Sequence, residues 1–135
     1  MKILIDSPIL LDIFTEDPTW FEWSSQKIAH HAEKDILLIN PIIYSELSLH
    51  FSKIEDLDEA LPTADFLREN IPWEAAFLAA RAFQTHHPRS TSKQPTLPPI
   101  LIGAHAALTG LTLLTRDPHR FRDYYPKINL IHPKR

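Results

Sequence analysis

Short apolar runs closed by polar residues punctuate the chain, and longer stretches with helical periodicity lie between them. Ile3-Leu4-Ile5, Ile36-Leu37-Leu38-Ile39, and the runs at 111–114 and 128–131 are too short for helices and read as buried strands. A further short strand is expected within 66–71. Helices are expected at 8–14, 20–33, 41–51, 54–66 with an interruption at Pro62, 72–85, 99–109 and 118–125. Ser7-Pro8 and Asn40-Pro41 each pair an N-capping side chain with proline at the first helical position, and Asp17-Pro18 breaks the first helix. The 72–85 helix is rich in alanine, with Phe77, Ala80, Arg81 and Gln84 marking its turns. Gly110 is suited to close the helix before it. Residues 86–98 are polar and proline-containing, with no apolar period; an unstructured stretch of that length inside a domain points to a functional loop. Strands alternating with helices at this spacing call for an α/β architecture, a parallel sheet covered by helices on both faces. No internal repeat or composition break divides residues 1–135, so one domain is expected.

Three acids fall at equivalent places in this pattern. Asp6 ends the first strand, Glu46 lies just over one turn into the helix after the second, and Asp117 follows the penultimate strand. The carboxyl ends of parallel strands form the crevice where ligands bind in such sheets. Carboxylates gathered there require a cation, and hard oxygen donors suit Mg²⁺ or Mn²⁺, which can activate water for phosphodiester hydrolysis. Each acid also has a plainer reading: Asp117 before Pro118 as a helix cap, Glu46 as an exposed helix residue. Asp6 is the hardest to explain by structure alone. Asp12, one and a half turns into the first helix, is a supporting acid that either reaches the crevice or stays outside the first ring of ligands.

Composition narrows the chemistry. The chain has no cysteine, and none of its eight histidines pair at helical spacing, which argues against zinc. His105, inside an apolar helix, is expected to be a hydrogen-bonded core histidine. A net charge of −3 means that any basic surface must be local; Arg89, Lys93 and Arg116 are the candidates for phosphate contacts. Trp20, Phe21 and Trp23 form either a partner surface or a cluster buried against the sheet. The N-terminus lacks signal-peptide order, and the most apolar stretch, 100–114, is too short and too interrupted to span a bilayer. A cytoplasmic protein without a membrane segment is expected.

Four segments together carry a family resemblance: Ile3-Leu4-Ile5-Asp6, Ile39-Asn40-Pro41 with Tyr44-Ser45-Glu46-Leu47, Ile102-Gly103-Ala104-His105-Ala106, and Leu113-Leu114-Thr115-Arg116-Asp117. In order and spacing the chain resembles the PIN-domain proteins, in particular the VapC-type toxins of toxin–antitoxin pairs. The resemblance implies a three-layer α/β/α sandwich with a five-stranded parallel sheet, and a Mg²⁺- or Mn²⁺-dependent endoribonuclease. It also implies an antitoxin that occludes the site, and a homodimer. It assigns Asp6, Glu46 and Asp117 to catalysis and metal binding, with Thr115 as a polar neighbour of the site. Two positions depart from the family pattern: Pro8 stands where asparagine is usual, and Pro99 replaces an acid that precedes the histidine by six residues. Those departures support an alternative, a PIN-fold module that binds an antitoxin-like protein or RNA without cleaving it.

Overall fold

The computed structural model describes residues 1–85 and 96–134. In chain order they form β1 (Lys2–Ile5), α1 (Ser7–Phe14), α2 (Phe21–Ala32), β2 (Ile36–Ile39), α3 (Pro41–Ser48), α4 (Ile54–Ala60), β3 (Leu67–Arg68), α5 (Trp73–Thr85), α6 (Leu97–Thr109), β4 (Thr112–Leu114), α7 (His119–Arg122) and β5 (Asn129–Ile131). The five strands make one sheet in the order β3-β2-β1-β4-β5, and every pairing is parallel. This is the expected α/β/α sandwich. No described helix is long and apolar enough to cross a membrane.

The central strand explains why the apolar runs are uninterrupted. Ile3, Leu4 and Ile5 of β1 are fully buried between β2 and β4, as parallel strands covered on both faces must be. Register pairs Ile5 with Leu114 and Leu4 with Leu38, and the Asp6 N–H extends the ladder to the Leu114 carbonyl. The last residue held in the sheet before α1 is therefore Asp6.

The helix ends depart from expectation in instructive ways. Asn40 caps α3 as its sequence suggests, its side chain accepting from the Ile43 N–H at 2.9 Å. Ser7 does not cap α1; it is the helix's first residue, the cap position belongs to Asp6, and the serine hydroxyl is used elsewhere. Asp117 does not cap α7 either, since Pro118 occupies that position. The α6 helix starts at Leu97, two residues earlier than expected, with Pro98 and Pro99 in its first turn. The first four N–H groups of a helix have no partner within it, so two prolines there forfeit no hydrogen bond. Gly110 ends α6 with φ 69°, in the left-handed region open to glycine.

Helix α5 packs against α6 through alanine, with Ala75, Ala79 and Ala82 buried. The aromatic side of α5 is turned outward: Trp73 is 91% and Phe77 64% exposed. Opposite this contact, Gly103 lets α6 approach the segment after α7. A methyl group on Gly103 would sit 2.6 Å from the Tyr125 ring. Tyr125 is buried there, donating its hydroxyl to the Ile100 carbonyl at 2.8 Å. The Trp20, Phe21 and Trp23 cluster is half-buried, with Trp23 packed on the core. Most of the expected 86–98 loop, including Arg89 and Lys93, lies outside the described residues.

Candidate active site

The end of β1 delivers Asp6 into the crevice between α1, α3 and the β4–α7 connection, with no exposed surface. Its Oδ2 accepts from the Thr115 hydroxyl at 2.8 Å, and that hydroxyl in turn accepts from the Asp117 N–H at 3.1 Å. Thr115 is itself pinned, its N–H donating to the Ile131 carbonyl of β5 at 3.0 Å. Asp6 Oδ1 is buried without a well-formed hydrogen bond, the Ser7 N–H being the backbone donor beside the carboxylate. A buried acceptor left unmade costs roughly 1–3 kcal/mol, more when it carries charge. Burial pushes the Asp6 carboxyl up to about 6. The Arg120 charge and the Thr115 bond oppose that rise, and the negative charge of Glu46 adds to it.

Glu46 is half-buried one turn into α3 and is held by the Ser7 hydroxyl, 2.8 Å from its Oε1. Ser7 is thus the hinge between two acids 40 residues apart in sequence. It follows Asp6 directly and gives its proton to Glu46. Nothing in the sequence marks that role, because its proline neighbour makes the capping reading self-sufficient.

Asp117 contributes its N–H to Thr115 while its own side chain is exposed. Among the described residues no three His, Cys, Asp or Glu side chains come together as a metal-holding group. The acids that sense each other are Asp6 and Glu46. These two fit a hard divalent cation, because Mg²⁺ keeps several waters and needs only one or two carboxylates. Asp6 Oδ1, which lacks a well-formed hydrogen bond, is the donor that such an ion would satisfy.

Asp12 is committed elsewhere. It is 2% exposed, and both of its oxygens are taken, Oδ2 by the Ser24 hydroxyl at 2.7 Å and Oδ1 by the Arg116 guanidinium at 3.0 Å. Burial raises its carboxyl, with the Ser24 bond and the Arg116 charge opposing. Arg116, one-third exposed, also lies over the Trp20 ring, 5.3 Å from its centroid. The pair fastens the β4–α7 connection to α1 and α2, so Asp12 positions the crevice wall rather than entering the crevice.

His105 is fully buried as expected, and its partners identify its tautomer. Asn40 Oδ1 accepts from Ile43, so the Asn40 amide donates to His105 Nδ1 at 3.0 Å. His105 Nε2 then carries the proton and donates to Glu69 Oε2 at 3.2 Å. Burial lowers its pKa, with Glu69 opposing, so the ring is a neutral strut joining α3, α6 and the end of β3.

Pro99 stands in the first turn of α6, where it offers no side-chain oxygen. The parallel five-stranded sheet with its helices, and the buried acid at the end of the central strand, define an α/β/α domain of the PIN type. The family model for the PIN domain matches residues 3–126, and the chain belongs to that family. No curated protein sequence matches it with significance. Among solved structures, VapBC2 from Rickettsia felis, bound to a DNA fragment from its promoter, is similar with a TM-score of 0.73 at 15% identity over 98% of both chains. VapBC-1 from nontypeable Haemophilus influenzae gives a TM-score of 0.72 at 16% identity, again over 98% of both chains. A toxin–antitoxin complex from Klebsiella pneumoniae gives 0.69 at 21% identity, over 96% of this chain and 95% of that one.

Proposed function

We propose that the protein is a divalent-metal-dependent endoribonuclease of the VapC toxin type, acting in the cytoplasm and restrained by an antitoxin partner. One observation carries the reading: a fully buried aspartate at the end of the central strand, with one oxygen bonded to Thr115, the other without a well-formed hydrogen bond, and Glu46 alongside. Asp6 and Glu46 would hold Mg²⁺ or Mn²⁺, with Asp117 on the open side of the crevice. When bound, the ion supplies Lewis acidity and an activated water for attack on the phosphodiester.

The chain's own residues prepare that chemistry. Thr115 fixes the Asp6 rotamer, and Ser7 fixes Glu46, so neither carboxylate must reorganise on binding. The Asp12–Arg116 pair holds the wall carrying Asp117 in register with β1. An antitoxin partner belongs to the same reading, supported by the likeness to solved toxin–antitoxin complexes, and homodimerisation belongs to it as what the family resemblance implies.

A second reading rests on a specific observation, the proline at position 99. It is comfortable in the first turn of α6 and leaves the crevice without a further carboxylate. On this reading the domain binds RNA or an antitoxin-like protein without cutting. Calorimetric titration of Mn²⁺ into the protein and into Asp6→Asn separates the two. Binding that disappears in the variant supports the nuclease, and no binding in either supports the non-cleaving module. Pro99→Asp supplies the absent oxygen, and a gain of roughly 10- to 100-fold in metal affinity or RNA cleavage is expected if the crevice is otherwise competent.

A further inference from the structure

Beside the Asp6 site runs a groove of about 630 Å³, lined by Trp20, Arg116, Asp117, His119, Arg122 and His132 together with two prolines. The two share a wall: Asp117 lines the groove, and its N–H hangs on the hydroxyl that holds Asp6. In a chain of net charge −3, residues 116–135 hold six of the fourteen Lys and Arg but only two of the seventeen Asp and Glu. That makes the segment +4 against −7 for the rest of the chain, and Arg116 and Arg122 of this segment line the groove.

The donors are arranged toward an anion. Arg122 is exposed at the end of α7, and one nitrogen of its guanidinium donates to His132 Nε2 at 3.2 Å, while His132 Nδ1 donates to the Pro133 carbonyl. His119 is exposed one helical turn before Arg122. Arg116 lies over Trp20, so an indole and a guanidinium form one wall of the groove. Phosphates tracked by cations, with an aromatic surface beside them, are the elements of a single-stranded nucleic-acid channel.

Resting on the ribonuclease reading, we propose that this groove is the entry track for single-stranded RNA. Arg122 and His119 contact backbone phosphates flanking the scissile one, and Trp20 faces a neighbouring base. The track delivers the strand along β4–α7 to the Asp6 crevice.

The test uses the full chain and a fluorescently labelled 2′-O-methyl oligoribonucleotide of about eight nucleotides, within the usual span of a single-strand site. The probe cannot be cleaved, and EDTA removes metal, so binding is read apart from catalysis. The parent should bind with salt-dependent affinity, and Arg122→Glu should flatten the slope of log K against log salt by about 0.7, one phosphate contact on a single strand. His119→Ala, chosen because it leaves the Arg122–His132 bond intact, should weaken binding, and the tryptophan quenching seen in the parent should drop in Trp20→Phe. Absence of cleavage by the parent with this binding intact would remove the proposed nuclease function and leave the track standing. No binding by the parent, equal binding by both charge variants, or equal displacement of the probe by polyglutamate, which would indicate an acidic protein partner, overturns the track.

Discussion

Replacing Asp6 with asparagine should change stability with a sign that depends on pH. In the folded protein the Asp6 carboxyl is raised from 3.8 to about 6 by burial. The folded state therefore holds the Asp6 proton more tightly than the unfolded chain does. The contribution of this group is fully present below about pH 4, is lost as pH rises through 6, and is flat above it. At about 1.4 kcal/mol per unit, the loss amounts to roughly 3 kcal/mol. Asparagine still accepts from Thr115 but places an amide where Oδ1, without a well-formed hydrogen bond, sits. An unmet donor there offsets about 1 kcal/mol. The variant should thus be about 1 kcal/mol less stable than the parent near pH 3.5 and about 2 kcal/mol more stable at pH 8, with the curves crossing between roughly pH 4 and 5. Urea unfolding from pH 3.5 to 8 in EDTA reads the difference directly, and at pH 8 the variant should melt about 5–8 °C higher. Adding Mn²⁺ should then raise the parent's midpoint and not the variant's, because only a ligand that binds the folded state shifts it. A parent–variant difference that stays constant across this range would refute the burial argument, as would a variant less stable than the parent at pH 8.

Other substitutions probe the supports of the crevice. Asp12→Ala leaves the Arg116 guanidinium and the Ser24 hydroxyl without partners and should destabilise by about 2–3 kcal/mol in urea titrations, discounted because Arg116 is one-third exposed. Gly103→Ala drives a methyl group to 2.6 Å from the buried Tyr125 ring, and a loss of roughly 1–3 kcal/mol is expected in thermal melts. Asn40→Ala removes the α3 cap and the donor to His105 together, so its loss of about 2 kcal/mol should exceed that of an ordinary cap deletion. His105 is held neutral by burial, with its pKa lowered, so its contribution is present above its unfolded value and lost as pH falls through the folded one. Following the imidazole by NMR should show protonation below that of an exposed histidine.

The strands were legible because a parallel sheet demands apolar residues on both faces, which leaves uninterrupted runs such as 3–5 and 36–39. The position of Asp6 was legible for the same reason: it is the first polar residue after such a run. What escaped the sequence are partnerships across long separations. Ser7 reads as a cap because its bond to Glu46 spans 39 positions, and Asp12 reads as a supporting acid near the crevice because Arg116, its partner, lies 104 positions away. On α5 the apolar period is real, but alanine is what fits close against α6. Phe77, one of the residues that marks its turns in the sequence, is exposed, and so is Trp73, while Phe83 packs on the core. The groove beside the crevice was foreshadowed only by the acid-poor, base-rich end of the chain.

The two features most distinctive of the segment 102–106 turn out to be mechanical. Gly103 is there to let a tyrosine ring close over the helix, and His105 braces three elements from inside the core. The likeness thus has a mechanical part, carried by Gly103 and His105, and a chemical part, carried by Asp6, Glu46 and Asp117. Proline at position 99 disturbs neither part, because the first turn of α6 accommodates it without losing a hydrogen bond. A match over 102–106 therefore reports how α6 is packed and says nothing about the acids gathered at the end of β1.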